Sequence, residues 1–441
     1  MGNHSDFFQK MISDKKNGMH KGIYSVCSVN RYVIKAAMKK AYENNHHVLI
    51  ESTCNQVNQF GGYSGMRPAD FREYVFGIAE EAGFPEDKIL LGGDHLGPNP
   101  WRDESADSAL EKSYDLIREY VQAGYSKIHL DASMLLGDDL RDKDGALDSR
   151  MIALRAAKIC QVAEKEFCEL KLNDISAFPP VYVIGTEVPV PGGVTEIEEG
   201  PGITSADDMV NTIELCREYF YKFDLVDAWE RVIAVVVQPG LEFSNEDIYE
   251  YKRCEKNIEL KNKIKEYDNL VIEAHSTDYQ TGKSLKQLVE DGSGFLKVGP
   301  ALTYAFREVI ICLASIEKEL YDFKIIKNNS KIEEVLKKAM YENNIYWKDY
   351  YHGSRDEIAF QMKYGLSDRV RYYWSILKVK NALTKLKGNL DEVQIPLPMI
   401  SQYLPYQYDK IINGQLQKNV DSIICDYIGK VLDDYEFAIK E

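Results

Sequence analysis

The sequence lacks long apolar runs. Its 441 residues contain no stretch of about 18 consecutive apolar residues, so no membrane-spanning helix is expected. The opening segment, MGNHSDFFQKMISDKKNGMH, also lacks the apolar centre of a secretory signal. From these two absences we expect a cytoplasmic protein without a membrane partner.

Paired cysteines and an excess of positive charge are also missing. None of the eight cysteines forms a CxxC pair, so we interpret them as reduced, mostly buried thiols. The 54 Lys and Arg residues are outnumbered by 70 Asp and Glu residues, which gives a formal net charge of −16. Such an acidic protein is not expected to coat nucleic acid. A small phosphorylated substrate is still compatible, because it needs only one local positive site.

Two common nucleotide-binding motifs are absent. The first apolar run continues as CSVNR, which is not the glycine-rich turn of a dinucleotide-binding sheet. The segment Gly282-Lys283-Ser284 resembles the end of a phosphate-binding P-loop, but the required first glycine is replaced by Thr277. The sequence therefore does not indicate a P-loop kinase.

The chain contains eight short apolar runs separated mostly by amphipathic helical stretches. Runs rich in Val, Ile and Leu with little alternation are typical of parallel strands that are covered on both faces. An open doubly wound sheet is the competing arrangement, but it lacks its glycine-rich turn here. We therefore predict an α/β fold, a (β/α)₈ TIM barrel from about residue 20 to about residue 320. The runs are 22–28, 48–53, 89–95, 127–133, 181–188, 231–238, 270–276 and 295–300.

The composition changes after about residue 330, where the chain becomes rich in Lys and Tyr and helical in pattern. We predict a barrel over residues 1–325 and a C-terminal helical subdomain over residues 326–441 that packs on it. Within the second part, IPLPMISQYLPYQY is apolar and aromatic, which favours burial. The sequence leaves open whether this segment is buried inside the chain or between chains.

Polar residues close five of the predicted strands, and the carboxyl ends of barrel strands meet at one face. Placing these groups at the ends of apolar strands costs desolvation free energy that structure alone does not require. The simplest use is a divalent metal held by His95, His275 and a carboxylate, with Glu187 as the third ligand. A salt-bridged barrel carboxylate is the competing interpretation of Glu187. The strand-end residues are Asp94, His95, His129, Asp131, Glu187, Gln238, Glu273, His275 and Ser276.

Other strand-end residues are assigned roles other than metal binding. We interpret Asp131 and Gln238 as substrate-binding residues, although Gln238 could instead cap the barrel. His129 lies one step deeper in its strand and is interpreted as interior packing.

Three further segments are suited to bind an anion. The loop after the second strand carries amides and glycines whose backbone N–H groups suit a phosphate or a sugar; a turn that merely needs glycine is the alternative. Gly299 precedes a helix start at the usual phosphate position of a barrel. Arg369 could hold a distal phosphate or, equally, pair with Asp368 or a barrel acid. The residues chosen from the loop are Asn55, Gln59, Gly61 and Gly62.

Nine strings along the chain carry a family resemblance. Together they resemble the tagatose-bisphosphate aldolase subunit of the GatZ/KbaZ type, over nearly the whole chain. The strings are CSVN, ESTCNQVNQFGGYSGMRPADFREYVF, LGGDHLGPNPW, AGYSKIHLDASM, VIGTEVPVPGG, EAHSTDYQT, LKVGPALTYAFRE, LSDRVRYYW and IPLPMISQYLPYQY.

The resemblance implies a barrel related to class II, metal-dependent ketose-bisphosphate aldolases. It implies that Asp94 is the general acid/base, that His95 and His275 bind zinc, and that Ser276 adjoins phosphate-binding backbone. Where class II aldolases place a further zinc-binding histidine, this chain has Gln238, and an amide is a weak zinc ligand. The zinc set is therefore incomplete unless Glu187 or Asp131 completes a different one. Zn²⁺ is the expected metal, with Mn²⁺ or Co²⁺ as alternatives.

Three functions are compatible with these features. The resemblance implies a role in galactitol or amino-sugar catabolism, as a subunit that stabilises or activates a catalytic tagatose-1,6-bisphosphate aldolase subunit. The alternative is a metal-dependent enzyme that acts on a ketose or ketose phosphate, as an aldolase or as a 4-epimerase interconverting fructose and tagatose forms. In that case Asp94 or Glu187 would move the C4 hydroxyl proton. A barrel whose site has decayed is the third possibility. We also expect a homo-oligomer.

Overall fold

Eight parallel strands close into a barrel in the computed structural model, which describes residues 4–141, 146–185 and 201–440. The predicted TIM-barrel fold is therefore confirmed. Two further short strands lie in the connection that follows the sixth barrel strand, and they form a small antiparallel hairpin. The barrel strands are β1 (Ile23–Cys27), β2 (Val48–Thr53), β3 (Ile89–Leu96), β4 (Lys127–Leu130), β5 (Val181–Ile184), β6 (Val232–Val237), β9 (Val271–Ala274) and β10 (Ser293–Val298), and the hairpin strands are β7 (Glu242–Phe243) and β8 (Ile248–Tyr249).

Helices surround the barrel and continue beyond it. The barrel strands are hydrogen-bonded in the order β1-β10-β9-β6-β5-β4-β3-β2, and β1 pairs with both β2 and β10 to close the sheet. The helices are α1 (His4–Lys16), α2 (Arg31–Glu43), α3 (Pro68–Ala82), α4 (Ala106–Gln122), α5 (Ser149–Asn173), α6 (Ala206–Lys222), α7 (Val226–Trp229), α8 (Glu255–Ile264), α9 (Gly282–Glu290), α10 (Pro300–Asp322), α11 (Ile332–Glu342), α12 (Arg355–Tyr364), α13 (Leu377–Val393), α14 (Leu397–Tyr403), α15 (Pro405–Ile412) and α16 (Val420–Ile439).

Local sequence signals explain several helix boundaries. α3 begins at Pro68 and is closed by Gly83, whose φ of 65° is left-handed. The side chains of Asp148 and Ser205 accept backbone N–H groups at the starts of α5 and α6. These capping residues satisfy donors that the first turn of a helix leaves free.

The amino-terminal helix α1 packs against the lower part of the barrel. Phe8 is fully buried, and its ring centroid lies 5.9 Å from that of Phe295 in β10. Leu49, Leu90 and Val183 share this apolar cluster. The barrel interior is therefore apolar near the amino ends of the strands, and its ionisable groups are concentrated toward their carboxyl ends.

The last helix, α16, completes the ring of helices around the barrel. It contacts α2, α9, α10 and β1, and α10 also packs against α13. Tyr24 Oη in β1 donates to Glu436 Oε1 at 2.7 Å, and Tyr435 Oη donates to the Thr277 carbonyl oxygen at 2.8 Å. One continuous core joins the barrel to these helices. The domain boundary at residue 325 remains a prediction.

The segment IPLPMISQYLPYQY, residues 395–408, is partly buried within the chain. It forms α14 and α15, which pack against α10 and α16. Ile400 is fully buried, and Ile395 and Leu404 are almost so. Among the described helices, none is both long enough and apolar enough to cross a membrane.

We expect that Glu436→Ala lowers the free energy of unfolding by about 1–3 kcal/mol, because the buried Tyr24 hydroxyl loses its acceptor. The loss should be smaller in a Tyr24→Phe background, where no hydroxyl remains to be satisfied. Urea denaturation of the parent protein, the two single variants and the double variant measures both effects. Equal losses in the two backgrounds would contradict this account of α16.

Candidate functional site

A cavity of about 380 Å³ opens at the carboxyl ends of the barrel strands. It is lined by residues at the ends of β1, β3, β9 and β10, by the loop after β2, and by residues between 345 and 372. The C-terminal helical region therefore contributes to the same cavity as the strand ends. The predicted site residues that line it are Asn55, Asp94, His95, His275, Ser276, Gly299 and Arg369.

Three imidazole rings form a compact triangle at this cavity. The ring centroids of His95 and His275 lie 4.9 Å apart, those of His95 and His129 lie 5.1 Å apart, and those of His129 and His275 lie 5.3 Å apart. Asp94 joins them, and one possible ligand atom from each of the four residues lies within 4.8 Å of the others. All four residues are buried.

The backbone at the site adopts uncommon conformations. His95 has a φ of 47° and Ser276 a φ of 55°, both in the left-handed region that non-glycine residues avoid. Tyr279 and Asp368 lie beside the cavity with φ values of 63° and 45°. Conformations of this kind cost free energy and are typical of functional sites, where the surrounding structure holds them in place.

His95 and His275 are each oriented by a carboxylate. His95 Nδ1 lies 2.8 Å from Asp131 Oδ2, and His275 Nε2 lies 3.0 Å from Glu273 Oε1. Each carboxylate fixes one ring nitrogen, which leaves the other to act as a ligand. Burial lowers the pKa of His275 to about 4, so this ring is neutral at pH 7, as metal ligation requires. Asp131, which we predicted to bind substrate, thus orients a histidine.

His129 belongs to this group, although the sequence suggested interior packing. Its Nδ1 lies 3.3 Å from Asp94 Oδ1, and its buried Nε2 has no hydrogen-bond partner within the described residues. A buried polar atom without a partner is uncommon and points to a missing ligand. The orphaned nitrogen, the two oriented imidazoles and the Asp94 carboxylate together fit a divalent cation that accepts nitrogen and oxygen ligands.

Beneath the histidines lies a network of buried charges that we did not predict. Lys127 Nζ lies 2.7 Å from Glu51 Oε1 and 2.6 Å from Glu273 Oε2, and all three side chains are fully buried. Lys297 pairs with Glu51 and lies 2.8 Å from Asp94 Oδ1. The signal in the sequence was a charged residue inside an otherwise apolar run, in VLIEST, KIHL and FLKV.

This network sets the ionisation of Asp94. Burial by itself would raise the pKa of its carboxyl group, but the nearby His95 and the Lys297 ammonium hold that pKa well below its usual range. Burial likewise opposes the charge of Lys297, but Asp94 and Glu273 keep its pKa well above the usual value. Asp94 is therefore a carboxylate and Lys297 an ammonium at neutral pH.

The predicted phosphate position at the start of α10 is filled by the chain itself. Asp278 Oδ1 accepts the backbone N–H groups of Gly299 at 3.0 Å and of Ala301 at 2.8 Å. Burial raises the pKa of Asp278 to about 6 against these hydrogen bonds. The glycine is needed for packing, because a Cβ at position 299 would lie 2.9 Å from the Cys27 carbonyl oxygen.

Two arginines of the C-terminal region line the same cavity. Arg369 stacks on the Tyr350 ring at 3.3 Å and donates through Nε to the Tyr346 carbonyl oxygen at 2.7 Å. Arg371 donates through Nη2 to Tyr372 Oη at 3.0 Å. Arg369 was predicted from the sequence, and Arg371 is an addition from the structure. Neither pairs with Asp368, whose ion-pair partner is Arg307 at 3.5 Å.

Four other predicted residues lie away from the cavity lining. Gln59 Nε2 donates to the Lys112 carbonyl oxygen, and Gln238 Oε1 accepts the N–H groups of Gly240 and Leu241. Gly61 and Gly62 have φ values of 98° and 55° and serve a tight turn. These contacts favour the structural alternatives, and substrate binding by these four residues stays a prediction. Glu187 lies outside the described residues, so its role as ligand and catalytic group stays a prediction.

The P-loop-like Gly282-Lys283-Ser284 begins α9, on the outside of the barrel. The Gly282 N–H donates to Asp434 Oδ1 at 3.2 Å, and Thr281 caps the helix. A carboxylate at this helix start is the opposite of what a nucleotide phosphate needs. The structure thus agrees with the sequence that this segment is not a P-loop.

Comparison with known proteins identifies the family. Residues 8–440 match the family model described as "D-tagatose-1,6-bisphosphate aldolase subunit GatZ/KbaZ-like". The chain belongs to this family. Its GatZ/KbaZ-like relatives include the D-tagatose-1,6-bisphosphate aldolase subunit GatZ of Escherichia coli O1:K1 / APEC, 46% identical over 98% of this chain and 99% of the relative. The subunit of the same name from Salmonella dublin is 44% identical over 98% of both chains.

A solved structure supports the same assignment. The crystal structure of a "probable tagatose 6 phosphate kinase" from Sinorhizobium meliloti 1021 is 39% identical, with a TM-score of 0.83. It covers 95% of this chain, which in turn covers all of it. The GatZ/KbaZ resemblance inferred from the nine strings is confirmed over the whole fold, including the C-terminal helices.

The first prediction for the site concerns its buried charges. We expect that Lys127→Met lowers the free energy of unfolding by about 3–5 kcal/mol, because the buried carboxylates Glu51 and Glu273 lose one of the two ammonium groups that balance their charge. The matched control is Lys318→Met, which breaks the exposed pair with Asp322 and should not change stability measurably. Urea denaturation compares the two variants. Similar stability of the two variants would contradict the proposed contribution of the buried network to the free energy of unfolding.

The second prediction concerns pH. Burial raises the pKa of Glu242, which is 3% exposed beside the site, to about 7. The folded protein then keeps this proton to a higher pH than the unfolded chain, so the stability that Glu242 contributes is lost between about pH 4.5 and pH 7. Relative to the parent protein, the free energy of unfolding of Glu242→Gln should therefore rise by roughly 2–4 kcal/mol across this pH range.

Denaturation curves at several pH values measure this gain. The control is Glu250→Gln at an exposed carboxyl group, whose pKa is lowered by hydrogen bonds from Ser284 and Thr281. The stability of this control relative to the parent protein should not increase as the pH rises. A flat difference for Glu242→Gln would show that its carboxyl group titrates normally.

Proposed function

We propose that this chain acts as a subunit of a tagatose-1,6-bisphosphate aldolase and carries its own metal-dependent site for a ketose phosphate. The first half rests on relatives 44–46% identical over 98% of the chain that bear the name of that subunit. The second half rests on one observation: three imidazoles and a carboxylate lie close enough to share an ion, and Asp94, His95 and His275 of this group line an open cavity. A decayed site would have no reason to retain this buried polar group at its desolvation cost.

The metal would be held by His95, His129 and His275, with the Asp94 carboxylate nearby. Three imidazoles with an oxygen donor suit Zn²⁺, and Mn²⁺ or Co²⁺ are the alternatives. A divalent ion in this position supplies a Lewis acid that polarises the carbonyl group of a ketose. His129 thus takes the place of the ligand that Gln238 cannot provide.

The remaining chemistry falls to the chain's own side chains. The ionised Asp94 carboxylate can accept the C4 hydroxyl proton as the C3–C4 bond breaks and its electron pair moves toward the C2 carbonyl group. Lys297, 2.8 Å from Asp94 Oδ1, keeps that carboxylate charged and in place. Because Lys297 stays protonated, it is not available as the nucleophile of an imine-forming aldolase.

A 4-epimerase activity of the chain alone is the second candidate. It would use the same bond cleavage, followed by rotation of the aldehyde and re-addition to the opposite face. The observation in favour is that the described residues of one chain already supply three imidazoles, a carboxylate and two cavity-lining arginines. The site therefore does not need a partner subunit to be chemically complete.

The test is to purify this chain alone, measure bound metal, and load it with Zn²⁺, Mn²⁺ or Co²⁺. Fructose 6-phosphate, tagatose 6-phosphate and tagatose 1,6-bisphosphate are then followed by NMR, with and without a class II aldolase subunit. Turnover by the chain alone would establish catalysis, and a rate gain only on mixing would establish an accessory role. Protein that cannot be loaded with metal would overturn the proposed site.

Variants make the metal assignment specific. We expect that His129→Ala and His275→Ala each lose bound metal, because each removes a ligand nitrogen. Asp131→Asn should lower metal affinity about 10–100-fold, because it removes the carboxylate that orients His95. His352→Ala, at an exposed histidine of the C-terminal region, should retain metal and serves as the control. Elemental analysis reads out all four variants, and full metal content in His129→Ala would remove His129 from the ligand set.

A further inference from the structure

We propose that Asp278 is a specificity residue that keeps phosphate away from the start of α10, so that the site prefers ketose monophosphates to bisphosphates. This inference deepens the proposed function and rests on it. It assigns the single phosphate of the substrate to Arg369 and Arg371.

The first step is that the start of α10 has no backbone donor to offer a phosphate. Asp278 Oδ1 accepts the N–H groups of Gly299 and Ala301, and Pro300 has no N–H group. The next two N–H groups, of Leu302 and Thr303, both point to the Gly299 carbonyl oxygen at 3.1 and 3.2 Å. The donors that make a helix start attractive to an anion are therefore all used within the chain.

The second step is that Asp278 is fixed where it is. It lies on a loop with left-handed residues on either side, Ser276 and Tyr279. Thr277 Oγ1 donates to the Lys297 carbonyl oxygen at 2.6 Å, and Tyr279 Oη donates to the Leu366 carbonyl oxygen. Asp278 itself is 3% exposed. A phosphate would have to displace a buried carboxylate from a loop that is tied down on both sides.

The third step is that Asp278 borders the cavity in which the substrate would lie. It lines that cavity together with Ser276 and Gly299. A phosphate placed there would meet a carboxylate of the same sign in a partly desolvated site, which disfavours it strongly. A sugar hydroxyl group at the same place could donate a hydrogen bond to Asp278 Oδ2, for which the described residues supply no hydrogen-bond donor.

The fourth step is that the cavity has a different place for one phosphate. Within the described residues, the guanidinium groups of Arg369 and Arg371 donate only to uncharged oxygens, namely the carbonyl groups of Tyr346, Ser367 and Asp368 and the Tyr372 hydroxyl. Arg369 is 5% exposed. Two such cations on one cavity, neither hydrogen-bonded to a carboxylate, are suited to bind a phosphate.

The consequence is a division of labour. A bisphosphate needs two anion sites, and the described part of this cavity offers one. The bisphosphate in the names of the relatives would then be handled by a separate catalytic subunit, while this chain binds a ketose with a phosphate at one end and a hydroxyl group at the other.

Calorimetric titration of the metal-loaded chain tests this inference without turnover. The ligands are fructose 6-phosphate, fructose 1,6-bisphosphate and inorganic phosphate. We expect the parent protein to bind the monophosphate at least 10-fold more tightly than the bisphosphate, and to bind one inorganic phosphate. Asp278→Ala should reverse the preference and bind two inorganic phosphates, because it frees the Gly299 and Ala301 donors.

Asp278→Asn is the matched variant and guards against a folding failure. The asparagine oxygen can still accept both N–H groups, so the variant removes the charge but leaves the donors occupied, and it should still bind one inorganic phosphate. An unchanged ratio in Asp278→Ala, or a parent protein that binds the bisphosphate as tightly as the monophosphate, would overturn the inference.

The inorganic phosphate stoichiometry separates this inference from the proposed function. If no ketose phosphate binds to the parent chain, the proposed function fails. A change from one to two inorganic phosphates in Asp278→Ala would still support the role of Asp278, and an unchanged stoichiometry would refute it. Arg369→Ala should lose the phosphate that the parent protein binds.

Discussion

The buried ion network of the upper barrel is the constraint on which the site depends. Lys127 and Lys297 share the carboxylates Glu51 and Glu273, and Lys297 also reaches Asp94. Removing any one of these groups would disturb the balance of buried charge in the interior. The network therefore links charged residues on β2, β4, β9 and β10 to the ionisation of Asp94 at the cavity. Stability and chemistry of this barrel are set by the same contacts.

Above this network, each histidine owes its role to a carboxylate beside it. Asp131 holds His95, Glu273 holds His275, and Asp94 lies beside His129. Glu273 belongs both to the ion network and to the histidine triangle, so it links the two layers. The two layers together hold three imidazoles and the Asp94 carboxylate close to one another in this member of the GatZ/KbaZ-like family.

The sequence predicted the barrel well, because eight apolar runs with capped helices between them have few other ways to fold. It also placed Asp94, His95 and His275 correctly at one cavity, because strand ends converge. It missed His129 because a residue inside a short strand gives no sign of which face it occupies once the strand ends bend. It left the roles of Gln59 and Gln238 open, because an amide that completes a turn has the same local pattern as one that binds a sugar. The role of Asp278 depends on a contact between two βα loops that no local pattern encodes.

The place of α16 in the helix ring bears on how the protein is made. β1 leaves the ribosome well before α16, yet the acceptor of its tyrosine lies 412 residues later in the chain. Contacts so distant in sequence form slowly, because a long loop must close before they are gained. The outer face of the barrel beside β1 therefore stays uncovered until α16 has been synthesised. Because Tyr435 also holds the loop that carries Asp278, the site becomes complete only when the last helix docks.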